Sequence, residues 1–360
     1  MTGILDKLRP TPSFRVHSPR YDIILAQVKS ILVLFSMAML ASDQQGWSPR
    51  EGALLKYRVN LRFGEELVSP PPAPNQKADL RFDGDDDTMP PGWKFGRVSA
   101  VAVNAQGEVF AFHRGHRADP MIIFDARGRY LRSWGKGMFT SPHGLRIDPA
   151  GNVWTTDVGS HQVMKFTQKG ELLLTLGKKG QTGATRDTFN KPTDIAFARD
   201  GGFYVSDGYG NTRVVKFSKD GKYLFEWGKP GREPGEFNTP HSVQLDSKGV
   251  VYVSDRENNR IQIFTPEGKF LRMWTHLGST QNIFITPSDE VWMITHRENV
   301  EAGALNTLGG RIFRVDIATG KILGSIESPG HWIHVTPDHL IFIGSLTGNV
   351  LRWYPDRPNQ

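Results

Sequence analysis

The sequence predicts an all-β fold, a six-bladed β-propeller, on three observations. A unit of turn and paired strands recurs six times. The unit runs to about 44 residues, the size of one four-stranded propeller blade. Glycine (38) and proline (23) are spread through the 360 residues, as many short strands joined by tight turns require.

The first element precedes the repeats. The apolar run ILVLFSMAMLA (31–41) follows several basic residues and gives way to SDQQG. That order resembles a secretory signal, so residues 1–41 are expected to be a signal peptide or N-terminal hydrophobic segment, with an amphipathic helix as the other reading. Export to the periplasm or outside follows from the first reading, a cytoplasmic protein from the second. The run is too short to span a bilayer comfortably, and no firm membrane association is expected. Residues 42–92 form an extension and linker, with an alternating segment LLKYRVNLRF (54–63), then a proline-rich stretch and DGDDD.

The repeats, placed at 93–355, follow in order. Their cores read VSAVAVNAQGEVFAFHRG (98–115), PHGLRIDPAGNVWTTDVG (142–159), PTDIAFARDGGFYVSDGYG (192–210) and PHSVQLDSKGVVYVSDREN (240–258), with weaker copies at 281–297 and 331–345. Each has a period-two strand, a turn, a second strand, a polar loop and a third strand such as HQVMKF or NRIQIF; a fourth closes most copies, at Trp134, Leu176 and Trp227. A lone blade cannot bury its faces, so the units must stack and the ring must close. The last copy lacks a fourth strand, and 54–63 is the expected donor.

One register position alternates. From the first blade to the sixth it holds Ser99, His143, Thr193, His241, Gln281 and His331. Alternate blades of a six-bladed ring lie about 120° apart, and this position begins the innermost strand at the mouth of the tunnel. Three imidazoles are therefore expected to converge with a fourth position open, as in a catalytic zinc site, although Co, Fe, Ni or Cu would also suit nitrogen ligands. Loops between second and third strands open on the same face, which makes Arg114 and Tyr209 candidates beside the substrate.

Composition narrows the partners. The formal charge is +7, but the basic residues are dispersed among acidic ones, so no nucleic-acid partner is expected. No cysteine is present, which removes thiolate ligands and cysteine nucleophiles.

The strings FHRG (112–115), PHGLRIDPAGNVWTTDVGSHQVMKF (142–166), PTD with YVSDGYGN (192–194, 204–211) and PHS with SDRENNRIQIF (240–242, 254–264) resemble the lyase domain of peptidylglycine alpha-amidating enzymes, a propeller of the NHL-repeat class. The resemblance runs from about residue 90 to 354. It implies cleavage of a peptidyl-alpha-hydroxyglycine to an amide and glyoxylate, with zinc on His143, His241 and His331, Tyr209 as general base, and Arg114 holding a substrate carboxylate. The substrate would be a small molecule or peptide bearing that carboxylate, hydroxylated elsewhere. The resemblance also implies a structural calcium, bound by the aspartate after the third histidine and by two carbonyls that map to Val101 and Leu145. Here Trp332 stands in the aspartate's place, which leaves calcium doubtful. The same change motivates a metal-dependent hydrolase as an alternative, and a non-enzymatic binding scaffold is the third reading.

Overall fold

The computed structural model describes residues 57–63, 89–295, 310–328 and 330–355. The leader read at 1–41 and most of the extension at 42–92 lie outside them.

Six antiparallel sheets of four strands make a β-propeller. The first blade comprises β2 (Val98–Val103), β3 (Val109–His113), β4 (Met121–Phe124) and β5 (Tyr130–Trp134). The second comprises β6 (Pro142–Ile147), β7 (Val153–Asp157), β8 (Gln162–Phe166) and β9 (Leu172–Leu176). The third holds β10 (Pro192–Phe197), β11 (Phe203–Asp207), β12 (Arg213–Phe217) and β13 (Tyr223–Trp227). The fourth holds β14 (Pro240–Leu245), β15 (Val251–Asp255), β16 (Arg260–Phe264) and β17 (Phe270–Trp274). The fifth is β18 (Thr280–Ile285), β19 (Val291–Thr295), β20 (Arg311–Val315) and β21 (Ile322–Glu327). The sixth runs β22 (Trp332–Val335), β23 (Ile341–Ser345), β24 (Asn349–Pro355), and takes its outer strand from the other end of the chain, β1 (Tyr57–Phe63), which pairs antiparallel with β24. The first strands of successive blades lie against one another around the ring, with β22 against β2.

Burial follows strand position. First and second strands are almost wholly buried, whereas fourth strands such as β9 and β13 alternate with solvent. Neighbouring blades are joined by a recurrent contact between the end of one fourth strand and a turn glycine of the next blade. Gly170, at φ +89°, lies against the Trp134 indole so closely that an added Cβ would sit 2.7 Å from it, and Gly268 meets Trp227 in the same way. A positive φ and the absence of Cβ let the turn lie flat under the ring, and both requirements select glycine.

The alternating position is set by a backbone device. In the first, third, fourth and fifth blades the pairing of the innermost two strands skips one residue, Ser99, Thr193, His241 and Gln281 respectively, and in the second it skips His143 and Gly144. A β-bulge leaves its extra residue out of the ladder and bends the strand, which re-aims that side chain.

Candidate metal centre and catalytic site

The three histidines meet. Their ring centroids are 4.9, 4.9 and 5.1 Å apart, and one nitrogen from each lies within 4.8 Å of the others. All three are buried. Among the described residues this is the one group of His, Asp or Glu side chains close enough to hold a metal ion.

Each ring is oriented from behind. His143 Nδ1 lies 2.8 Å from the Thr193 carbonyl, His241 Nδ1 2.5 Å from that of Gln281, and His331 Nδ1 2.6 Å from that of Ser99. A carbonyl only accepts, so Nδ1 carries the proton and donates it, which leaves the Nε2 lone pair of each ring to point inward. Alternation in the sequence therefore has a second half: the blades without histidine supply the carbonyls. Their side chains hold the strand ends, Ser99 Oγ donating to the Phe112 carbonyl and Thr193 Oγ1 to that of Pro240.

Burial and neighbouring positive charge push His143 and His241 well below the usual imidazole value, so both rings are neutral near pH 7. Neutral, inward-facing imidazoles with Nδ1 engaged to a carbonyl are the state in which histidine binds a divalent metal. The residues present thus fit a three-histidine metal centre.

Tyr209 comes from the loop after β11. Its hydroxyl lies 2.8 Å from His241 Nε2 and 3.1 Å from His143 Nε2. The loop is positioned by Asp207, whose carboxylate accepts from the Asn190 N–H, Asn211 and Arg213. Asp157 and Asp255 do the same work in the blades on either side, taking N–H groups from Ser141 and from Asn238. Arg213 and Arg260 extend this buttress by donating to loop carbonyls at Thr188 and Glu236.

Arg114, in the loop after β3, donates from Nε to the Pro142 carbonyl at 2.6 Å, one residue from His143. Burial pushes its guanidinium down from the ordinary arginine value, an effect that the nearby Tyr209 hydroxyl opposes.

A residue to which the sequence reading assigned no role also belongs here. Arg256, at the start of a 3-10 turn (Arg256–Asn258), donates to the Tyr209 hydroxyl at 3.3 Å and to Gln281 Oε1 at 3.3 Å, with its guanidinium 5.2 Å from the Tyr209 ring centroid. Its loop joins β15 to β16, a second strand to a third, and so belongs to the set that the sequence places on the site face. Which of its side chains turns inward depends on the 3-10 turn, and nothing in the sequence marked it. His296, given no role by the sequence, lies outside the described residues.

Three further histidines are engaged elsewhere. His113 accepts the N–H groups of Gly96 and Gly115 at Nδ1 and lies 2.9 Å from the Asp119 carbonyl at Nε2. His161 Nδ1 accepts the Lys191 N–H. His334 packs its ring 4.6 Å from that of Phe284.

Calcium does not fit. The ion takes oxygen ligands, including carboxylates. At the position after His331 stands the buried Trp332, and the Arg146 guanidinium lies 4.6 Å from its ring centroid. Val101 and Leu145 are buried in the innermost strands, but no carboxylate stands after the third histidine to join their carbonyls.

Comparison with known proteins adds family to geometry. The NHL repeat matches residues 139–166, 189–217 and 237–264, which correspond to strands one to three of the second, third and fourth blades. A Caenorhabditis elegans protein named as a probable peptidyl-alpha-hydroxyglycine alpha-amidating lyase is 31% identical over 296 residues, covering 71% of this chain and 81% of that one. Peptidyl-glycine alpha-amidating monooxygenase B of Xenopus laevis is 31% identical over 313 residues, or 78% of this chain but 32% of its own length. The chain thus spans about a third of the amphibian relative. A solved streptogramin B lyase shares the fold, with a TM-score of 0.54 at 14% identity, covering 84% of this chain and 98% of that one.

Proposed function

Because the chain belongs to the peptidyl-alpha-hydroxyglycine alpha-amidating lyase family, we propose that it is a zinc-dependent carbon–nitrogen lyase acting on an alpha-hydroxyglycine-type carbinolamide, with an amide and glyoxylate as products. The observation that carries this reading is the trio of Nδ1-anchored histidines with the Tyr209 hydroxyl against two of them.

His143, His241 and His331 would hold the zinc, which when bound polarises a substrate oxygen and lowers the pKa of its hydroxyl. The remaining work falls to the chain's own residues. Tyr209, reacting as its phenolate, accepts the proton of the carbinol hydroxyl, and the phenol so formed supplies the proton that the amide nitrogen takes. As the carbinol O–H bond breaks, the carbonyl of glyoxylate forms, the C–N bond breaks, and its electron pair leaves on the amide nitrogen, which takes that proton to complete the amide. Arg114 and Arg256 flank Tyr209 with guanidinium positive charge. A substrate carboxylate fits between such guanidinium groups, because each offers parallel donors in a fixed fork.

Elemental analysis of the purified chain beside His241→Ala is the first test. About one zinc per chain, lost in the variant, together with glyoxylate release from alpha-hydroxyhippurate reduced by more than about 100-fold, is expected; partners that merely orient such ligands already cost 10–100-fold when removed. Turnover of hydrolysable substrates without glyoxylate would point to the hydrolase instead, a reading motivated by Trp332. Folded protein with neither metal nor turnover would point to a binding scaffold.

A further inference from the structure

Beneath the histidines lies an ion pair that the lyase chemistry does not use. Arg146 belongs to β6, the innermost strand of the second blade, and Asp194 to β10, the innermost of the third. The guanidinium donates to both carboxylate oxygens, Nε at 2.9 Å and Nη2 at 2.7 Å. Both residues are almost inaccessible to solvent, Arg146 at 6% and Asp194 at 0%.

Their other partners come from across the ring. Arg146 also donates to the Ile283 carbonyl on β18, at 3.1 Å, and stacks on Trp332 of β22. Asp194 accepts from the Ser242 hydroxyl at 2.7 Å and the Val243 N–H at 3.2 Å on β14, and has Asn282 of β18 at 3.4 Å. A side chain of the second blade can reach strands of the third, fifth and sixth blades only through the central channel. One pair therefore joins the innermost strands of five of the six blades.

We propose that Arg146 is the propeller's own axial cation: it supplies, covalently, the positive charge that the buried Asp194 carboxylate requires, and the ring closes without calcium. A buried carboxylate is costly unless it is paired and its lone pairs are satisfied, and here both conditions are met by protein groups. The substitution is coordinated. Trp332 removes the acidic ligand the resemblance implied and offers an aromatic face, which stabilises a guanidinium and does nothing for a hard dication. Trp332 also stacks with His331 at 30° and meets His143 edge-on, each at 6.2 Å, so the same indole that seats Arg146 floors the histidine cluster. The inference is independent of which reaction the histidines serve.

Calcium titration calorimetry on the full chain as purified, with thermal unfolding with and without millimolar calcium, tests it. No saturable isotherm and an unchanged unfolding midpoint are expected; a saturable isotherm or a rising midpoint overturns the proposal. A double-mutant cycle makes the positive case. Arg146→Met strands the carboxylate and should lower the midpoint by roughly 5–15 °C. Arg146→Met with Asp194→Asn should recover at least half of that fall, and additive losses would overturn the pairing. Should Arg146→Met fail to fold, Arg146→Lys replaces it, with a smaller fall expected and again reduced by Asp194→Asn.

Discussion

Tyr209 and Arg256 separate chemistry from binding at the scale of single residues. The tyrosine hydroxyl lies against two imidazoles, and Arg256 reaches that hydroxyl from the next blade. Tyr209→Phe removes the proton acceptor and keeps the ring, so kcat for glyoxylate release should fall by about 100-fold or more with little change in KM. Arg256→Lys keeps the charge and loses the fork, and should raise KM by about 10-fold. Equal losses in both parameters for both variants would leave the division of roles without support. His113 carries a different prediction. Burial lowers it to about 4, and its two ring nitrogens are committed to two N–H groups and a carbonyl. The unfolded chain, titrating near 6.5, takes up the proton first as pH falls. Stability present above about pH 6.5 is therefore lost progressively down to about pH 4, by up to about 3 kcal/mol for this residue. Burial also lowers His334, to about 3, so it adds loss in the same direction. Urea midpoints measured from about pH 7 to 4.5 should decline, and His113→Gln should flatten the slope; a flat native profile contradicts the assignment.

At the scale of elements, a bulge and a glycine do most of the positioning. Because the bulge falls at one register in successive blades, the same backbone geometry presents histidine in one blade and a carbonyl acceptor in the next. The joints between blades depend on glycine. Gly170→Ala forces Cβ into the Trp134 indole at a φ that L-residues rarely adopt, and should cost about 1–3 kcal/mol, read as a lower thermal midpoint. The site should survive in the folded fraction, since Gly170 lies in the turn between β8 and β9, among the outer strands. A variant as stable as the parent would show that the turn can shift away from the ring.

At the scale of the whole molecule, closure is a matter of one strand pair. β1 and β24 join the two ends of the chain, and β24 without its partner would present an open sheet edge. Deleting residues 57–63 should lower the unfolding midpoint and promote self-association at that edge, checked by thermal denaturation and by light scattering against concentration. A monomeric chain of unchanged midpoint would mean that closure rests on the inner strands alone. Those inner strands are held independently, by the Arg146–Asp194 pair at the axis.

The sequence by itself determined the architecture, because propeller blades are local. Each strand alternates, each turn has its glycine, and the repeat length counts the blades, so PHGLRID and PHSVQLD announce both a strand and its place in the ring. Threefold placement of His143, His241 and His331 is legible for the same reason, since symmetry converts register into direction. Only the tertiary structure decided the rest. Which carbonyl anchors each imidazole, that Arg256 rather than its neighbours faces Tyr209, and that Arg146 fills the axis all depend on contacts between blades about 40 to 230 residues apart in sequence. Periodicity describes one strand against its own blade; it carries no information about what crosses the channel, where distances are short only because the ring has closed.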